Sequence, residues 1–367
     1  MTTLVSPPAT GGTTGPRRRW RDGGFRHLHA GPVSLRVDSR AVVVSSVLLA
    51  VVFVGGCWSI SVGEFHIPFG DVVREVTGIG GTTDSEFIVQ VLRLPRVLTG
   101  VLVGAAFGIS GQVFQRLSRN PLASPDIIGV TSGAAFGAVL CIVAISTVTT
   151  SVTTGALAGS ILTVGLLYVL AVRNGFSSYR MVLVGIGLTT MLNAGTAYLL
   201  TRSELNDAQR AYTWLAGSLN GRSWDYVRPL TIALVLLVPP TLMISRQLRV
   251  MEMGDDCAAG LGVSLTRSRA LLALLAAGLA AVATAAAGPV AFVALAAPQI
   301  ARRLVGERSA GIVPAALVGS AMVVIGDLVA RTAFGDTELP VGIVTALVGA
   351  PYLLWLLTRA NRIGRGG

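Results

Sequence analysis

The chain reads as an all-α polytopic membrane protein with about ten transmembrane helices and both termini in the cytosol. Three observations lead there. Of its 367 residues, 52% are hydrophobic and 13% charged, with a mean hydropathy of +0.69. A soluble fold of this size could not cover its surface with so few charges. The apolar residues gather in stretches of bilayer length. The arginines fall between these stretches with a bias to one side.

Residues 1–40 are rich in Pro, Gly, Thr and Arg, including Arg17, Arg18, Arg19, Arg21 and Arg26, and read as a disordered basic cytosolic tail. A signal peptide is the competing reading. Its apolar region would begin only at Ala41 and is 21 residues long, a full span rather than a signal core. The transmembrane domain runs from 41 to 358, and 359–367 form a second cytosolic tail. Apolar segments occupy 41–61, 97–115, 127–146, about 154–172, 181–201, 229–245, 270–287, 290–301, 309–330 and 339–358. Segment 290–301 is short for a crossing, at about 18 Å of helix. It follows Gly288-Pro289, a break that can divide a long helix from a short one. Ten crossings place 21 of the 29 arginines inside and 8 outside, whereas omitting 290–301 would put the last six of those 21 outside. The positive-inside rule therefore favours ten. In the second segment, Gly100, Gly104 and Gly108 recur every fourth residue. They mark a face that a neighbouring backbone can approach closely, as ordinary bundle packing requires.

Several function classes are excluded. All 29 basic residues are Arg, so a Walker-type phosphate loop, which uses a Lys, is absent and any ATP-driven step belongs to a partner. Cys57, Cys141 and Cys257 are scattered, and His27, His29 and His66 have no clustered carboxylate or thiol, so no metal site is expected. The net charge of +11 follows the membrane pattern rather than a nucleic-acid-binding patch. An ion-coupled secondary transporter would carry ionisable groups near the midplane. Only Asp327 lies within a segment, close to its rim. An embedded enzyme lacks a candidate nucleophile, base or acid pair in the spans.

Three polar stretches stand out. Arg93-Leu94-Pro95-Arg96 precedes the second segment. Arg119-Asn120-Pro121-Leu122-Ala123-Ser124-Pro125-Asp126 forms a stiff internal loop. Glu252 to Gly262 lies in the longest internal connection. There Gly254 can start a short helix, Asp255 and Asp256 suit its N-terminus, and Gly262 can end it. Ala258 and Leu261 give it a small apolar face. It reads either as a docking element or as a solvated loop helix. Asp327 and Arg331, four apart, either pair structurally or leave Arg331 open to a partner.

These stretches, with Gly288–Arg303 (GPVAFVALAAPQIARR), Gly326–Arg331 (GDLVAR) and Glu338–Pro351 (ELPVGIVTALVGAP), resemble the permease subunits of bacterial ABC importers for iron–siderophore chelates, the family that includes the cobalamin permease. The resemblance covers roughly 41–358, and within it the ferric-enterobactin permeases look most similar. It implies no cofactor on this chain, with ATP used by a cytosolic ABC ATPase dimer. It also implies an extracytoplasmic siderophore-binding protein and a second permease subunit, a paralogue rather than a second copy. Glu252, Met253, Gly254, Asp255, Asp256, Ala258, Ala259, Leu261 and Gly262 match the ATPase-coupling element. Arg93, Arg96 and Arg331 match arginines that meet the binding protein. Asn120, Leu122, Ser178 and Tyr179 fall at the cytoplasmic gate. Gln299 departs from the family, which commonly has His there, and the basic tail is longer than the family needs.

Overall fold

The computed structural model describes residues 25–30, 33–63, 65–78, 86–145, 149–172, 177–306, 311–333 and 338–363. Within the tail, β1 (Phe25–Ala30) pairs antiparallel with β2 (Val33–Asp38), with Leu28 opposite Leu35 and Ala30 opposite Val33. Val33, Leu35 and Val37 alternate with polar residues, the period-two pattern that favours a strand. Residues 1–24 of the expected tail lie outside the described residues.

All regular structure downstream is helical among the described residues. The strand ends directly in α1 (Ser39–Ser61), whose first turn is capped by Asp38 accepting from the Arg40 amide at 2.9 Å. Helix α2 (Phe69–Val76) is amphipathic and lies across the end of α1. It was not expected from the sequence, although Phe69, Val72, Val73 and Val76 have helical spacing. The second apolar segment is longer than expected: a π-helical turn at Ile88–Arg93 runs unbroken into α3 (Leu94–Leu117). Pro95 lacks an N–H and crowds the carbonyl four residues back, and a widened turn accommodates both defects. Arg93 and Arg96 therefore sit on a helix rather than in a connection.

Helices α4 (Val130–Ile145), α5 (Thr149–Leu167, extended by a π turn at Tyr168–Val172) and α6 (Ser178–Arg202) follow. A second short helix missed by the apolar pattern, α7 (Leu205–Leu215), precedes α8 (Trp224–Met251). Then come the six-residue α9 (Asp255–Gly260), α10 (Leu265–Ala287), α11 (Val293–Val305), α12 (Ile312–Thr332) and α13 (Val341–Ile363). Seven helical stretches are long and apolar enough to cross a membrane, and two shorter apolar helices cover 130–144 and 341–355. Helix α11 has 13 residues, about 20 Å of rise.

The interior is built by α3, α10 and α12, while α1, α5, α6 and α8 turn most of their surface outward. Their outward residues are large and apolar, among them Leu49, Ile161, Leu162, Leu236 and Met243, as contact with acyl chains requires. The glycine face of α3 behaves as its spacing predicted. Gly104 lies against the Gly319 backbone and Gly108 against that of Ala315, both on α12, where a Cβ would collide with a carbonyl oxygen. An analogous contact, Gly133 and Gly137 against Gly155 and Gly159, joins α4 to α5.

Two ends of this bundle carry the polar residues. One holds the start of α3, the start of α8 and the ends of α10 and α12. There Gly217 (φ 70) and Gly288 (φ 76) let the chain fold over Pro289. The Ser218 amide donates to the Ala287 carbonyl at 2.8 Å, and the Gly342 amide to the Gly217 carbonyl at 3.1 Å. The opposite end holds α9, the loop 118–129 and the start of α1, whose Arg40 donates to the Leu304 carbonyl at 2.9 Å.

Candidate functional site: an arginine cluster and a pinned short helix

At the first end, Arg93 closes the π turn and donates to the carbonyls of Ile60 (2.5 Å) and Phe65 (2.7 Å), tying α3 to the connection between α1 and α2. One turn on, Arg96 grips the Asp327 carboxylate in a fork, Nη2 to Oδ1 at 2.9 Å and Nε to Oδ2 at 3.1 Å. Its remaining amino group reaches Glu338 at 3.3 Å. Arg331 approaches Asp327 from the other side at 3.3 Å and donates to the Ser59 carbonyl (2.9 Å) and hydroxyl (2.5 Å). The Arg96 and Arg331 side chains are 13% and 11% exposed, and that of Asp327 is 4%. At such burial a carboxylate is tolerated only when paired. Of the two readings open at spacing four, the pairing of Asp327 with Arg331 is the one present. The stronger grip comes from Arg96, which sequence spacing could not show. Arg93, Arg96 and Arg331 thus converge on one hollow of about 400 Å³, with Asn220 and Glu338 on its wall.

At the other end, positive-φ glycines bracket α9: Gly254 (φ 115) before it and Gly262 (φ 82) after it. The helix presses Ala258 into the protein and leaves Glu252, Asp255, Asp256, Ala259 and Gly262 exposed. Met253 and Leu261, both about two-thirds exposed, are its projecting apolar groups. Asp255 is the hub. It accepts from Arg269 of α10 at 2.7 Å and from Arg119 at 3.1 Å. The bond from Arg269, followed by the charges of Arg269 and Arg119, holds its carboxyl below the usual range. Glu252 pairs with Arg116 at 3.6 Å.

Arg119 also donates to the Met251 carbonyl at 2.7 Å, from a left-handed backbone (φ 49) that opens the loop 118–129. In that loop Asn120 Oδ1 accepts from the Leu122 amide at 2.9 Å, forming a compact turn. Asn120 is exposed and Leu122 half-buried. The loop packs onto α6 where Ile127 and Ile128 cross Gly185, about two turns beyond Ser178 and Tyr179 at the start of that helix. Tyr179 is 79% exposed. Burial pushes the Asp126 carboxyl up to about 6, opposed by a hydrogen bond with Thr131.

The apolar pattern concealed a further link. Gln299 of α11, 7% exposed, donates both to Gln115 Oε1 and to the Pro121 carbonyl, each at 2.8 Å. Gln115 donates in turn to the Leu295 carbonyl at 2.9 Å. Gln299 therefore fastens α11 to the loop that carries Asn120 and Leu122. A buried polar side chain directly after Pro298 was the sequence signal for such a role.

Outward apolar helices around a close-packed interior define a multi-pass membrane protein of the permease kind, with a cluster of buried ion pairs at one end and a pinned short helix at the other. The chain belongs to the FecCD transport family, which residues 48–359 match. It is 39% identical over 326 residues to the ferric enterobactin transport system permease protein FepG of Escherichia coli (strain K12), covering 89% of this chain and 98% of that one. It is 38% identical over 275 residues to the cobalamin import system permease protein BtuC of Halobacterium salinarum, covering 74% of each. A solved structure of a metal-chelate type ABC transporter, facing inward, superposes with a TM-score of 0.75 at 28% identity, covering 87% of this chain and 99% of that one. The chain is a multi-pass permease of the cytoplasmic membrane, of the ABC-importer class that handles iron chelates and cobalamin.

Proposed function

We propose that this permease forms half of the translocation path for an iron(III) catecholate siderophore of the enterobactin kind. The similarity to FepG over nearly its whole length carries that substrate reading. In this reading all ten apolar helices cross, α11 included, and both termini lie in the cytosol. The arginine cluster then faces outward, and α9 meets a cytosolic ATPase dimer. Arg93, Arg96 and Arg331 mark the end where a siderophore-binding protein lands, although each is already engaged within the chain and Arg331, held by Asp327, is less available for a partner. The ATPase touches Met253 and Leu261 beside the exposed Asp256 and Ala259. Gate opening involves Asn120, Leu122, Ser178 and Tyr179. A paralogous permease completes the pore, as the resemblance to iron–siderophore permeases implies. The chain holds no cofactor; its partner spends the ATP. A cobalamin or haem permease of the same family is the alternative, and the likeness to BtuC favours cobalamin within it. Ion coupling has little support, because Asp327 is already neutralised by two arginines.

The test is deletion of the gene followed by uptake of labelled iron as catecholate and hydroxamate chelates, haem, and cobalamin. Selective loss of the catecholate, restored by the wild-type gene, supports the reading. Selective loss of cobalamin replaces the substrate and keeps the mechanism.

A further inference from the structure

Beside the arginine cluster lies a larger hollow of about 890 Å³, bounded by α7, the connection 216–223 and residues 338–340. Its size is at the upper end of small-molecule sites, which run from about 300 to 1,000 Å³. Asn220, Gly221 and Glu338 line both this hollow and the 400 Å³ one, so the two adjoin. The wall carries two more arginines. Arg222 lies half-buried with its guanidinium 4.4 Å from the centre of the Tyr226 ring and its Nε donating to the Ser218 carbonyl at 3.3 Å. Arg210, on α7, has a side chain 63% exposed and sits 3.8 Å from Asp207. The Trp214 ring completes the wall. Across the two hollows five arginines stand against Glu338 on the wall and Asp207, Asp225 and Asp327 close behind it. The field inside is therefore positive.

We propose that this hollow is a binding vestibule within the permease, selective for polyanionic iron chelates that carry aromatic rings. Arg210 and Arg222 contact the anionic oxygens, and Trp214 and Tyr226 offer faces to the rings. Arg222 is held in place by stacking and by Ser218, so its amino groups are pre-aimed at small cost in side-chain freedom. The inference rests on the importer reading above and adds that the permease, as well as its binding protein, sorts chelates by charge.

The test uses the assembled importer in proteoliposomes and two probes, a trianionic iron(III) tris-catecholate and a neutral iron(III) tris-hydroxamate. The readout is the ratio of their kcat/KM values. Arg210→Gln with Arg222→Gln lowers the catecholate-to-hydroxamate ratio about tenfold, the loss expected for charge-assisted contacts. Arg222→Gln also removes a stacking contact, so Arg210→Gln alone, on an exposed helix face, is the second variant, with a fall of about threefold expected. A ratio within twofold of wild type in both variants overturns the proposal. Wild-type transport of the hydroxamate alone overturns it too, yet leaves the importer reading standing. Transport of neither chelate removes both.

Discussion

Asp327 and Asp255 are both carboxylates held by two arginines, yet burial makes them do different work. Asp327 is almost fully enclosed, with Arg96 and Arg331 on either side. Removing its charge leaves two guanidiniums facing each other in a low-dielectric site. Asp327→Asn should therefore destabilise the protein by about 3 kcal/mol, read as a lower melting temperature of the detergent-purified protein. A change below about 1 kcal/mol would mean that water reaches the cluster and screens it. Asp255 is exposed, and exposed ion pairs contribute little to global stability. Its effect should be local: Asp255→Asn should speed amide hydrogen exchange across α9 while barely moving the melting temperature. The sign of its pH dependence follows from a native carboxyl held below its usual range. The stabilisation is complete above the ordinary Asp value of about 4 and fades as pH falls through the lower native one. Wild-type α9 should keep its protection down to that range and lose it below, whereas Asp255→Asn should show no such step. An identical step in the variant would assign the titration elsewhere.

Among the elements, the short helix α9 illustrates what local sequence can and cannot reveal. Its boundaries were legible because glycine marks both, at Gly254 and Gly262, and the structure places positive φ at each. Its orientation was not legible. Asp255 and Asp256 are indistinguishable in sequence, but Asp255 turns to Arg119 and Arg269 and thereby links α9 to the loop of Asn120 and Leu122. Such a link joins residues more than a hundred positions apart, beyond the reach of any spacing rule. The outward groups are Met253 and Leu261, the apolar anchors suited to a protein groove. Leu261→Glu should leave the permease folded, because it is exposed, but cut co-purification of the ATPase about tenfold or more, as loss of a buried anchor does. Undiminished co-purification would place the ATPase contact off this helix. The amphipathic α2 and α7 were missed for a different reason. They are too short and polar to register as spans, although α2 carries a clear helical period and α7 walls the 890 Å³ hollow.

For the whole molecule, the apolar segments anticipated the helices well, since hydropathy reports directly on which residues avoid water. The glycine spacing of α3 correctly marked an interior helix, because only close backbone approach uses such a face. Lateral neighbours were hidden: nothing local indicated that α3 packs on α12, or that Arg96 meets Asp327 across them. Over 25–38 the tail's composition hid the alternation that pairs β1 with β2. A close-packed interior lies between the arginine-lined hollow at one end and, at the other, a short helix whose hub, Asp255, holds the loop of Asn120 and Leu122. Movement imposed on α9 by a nucleotide-driven partner would thus reach that loop through Arg119, and α11 through Gln299.

The central claim, that ATP hydrolysed by a partner drives chelate uptake through this chain, is tested most directly in proteoliposomes. They would contain the permease pair with its ATPase, the binding protein and an iron(III) tris-catecholate outside, and ATP inside. Accumulation that requires ATP, persists when the proton gradient is collapsed and disappears with Leu261→Glu is the predicted result. Uptake that continues without ATP and stops when the gradient is collapsed would contradict the account.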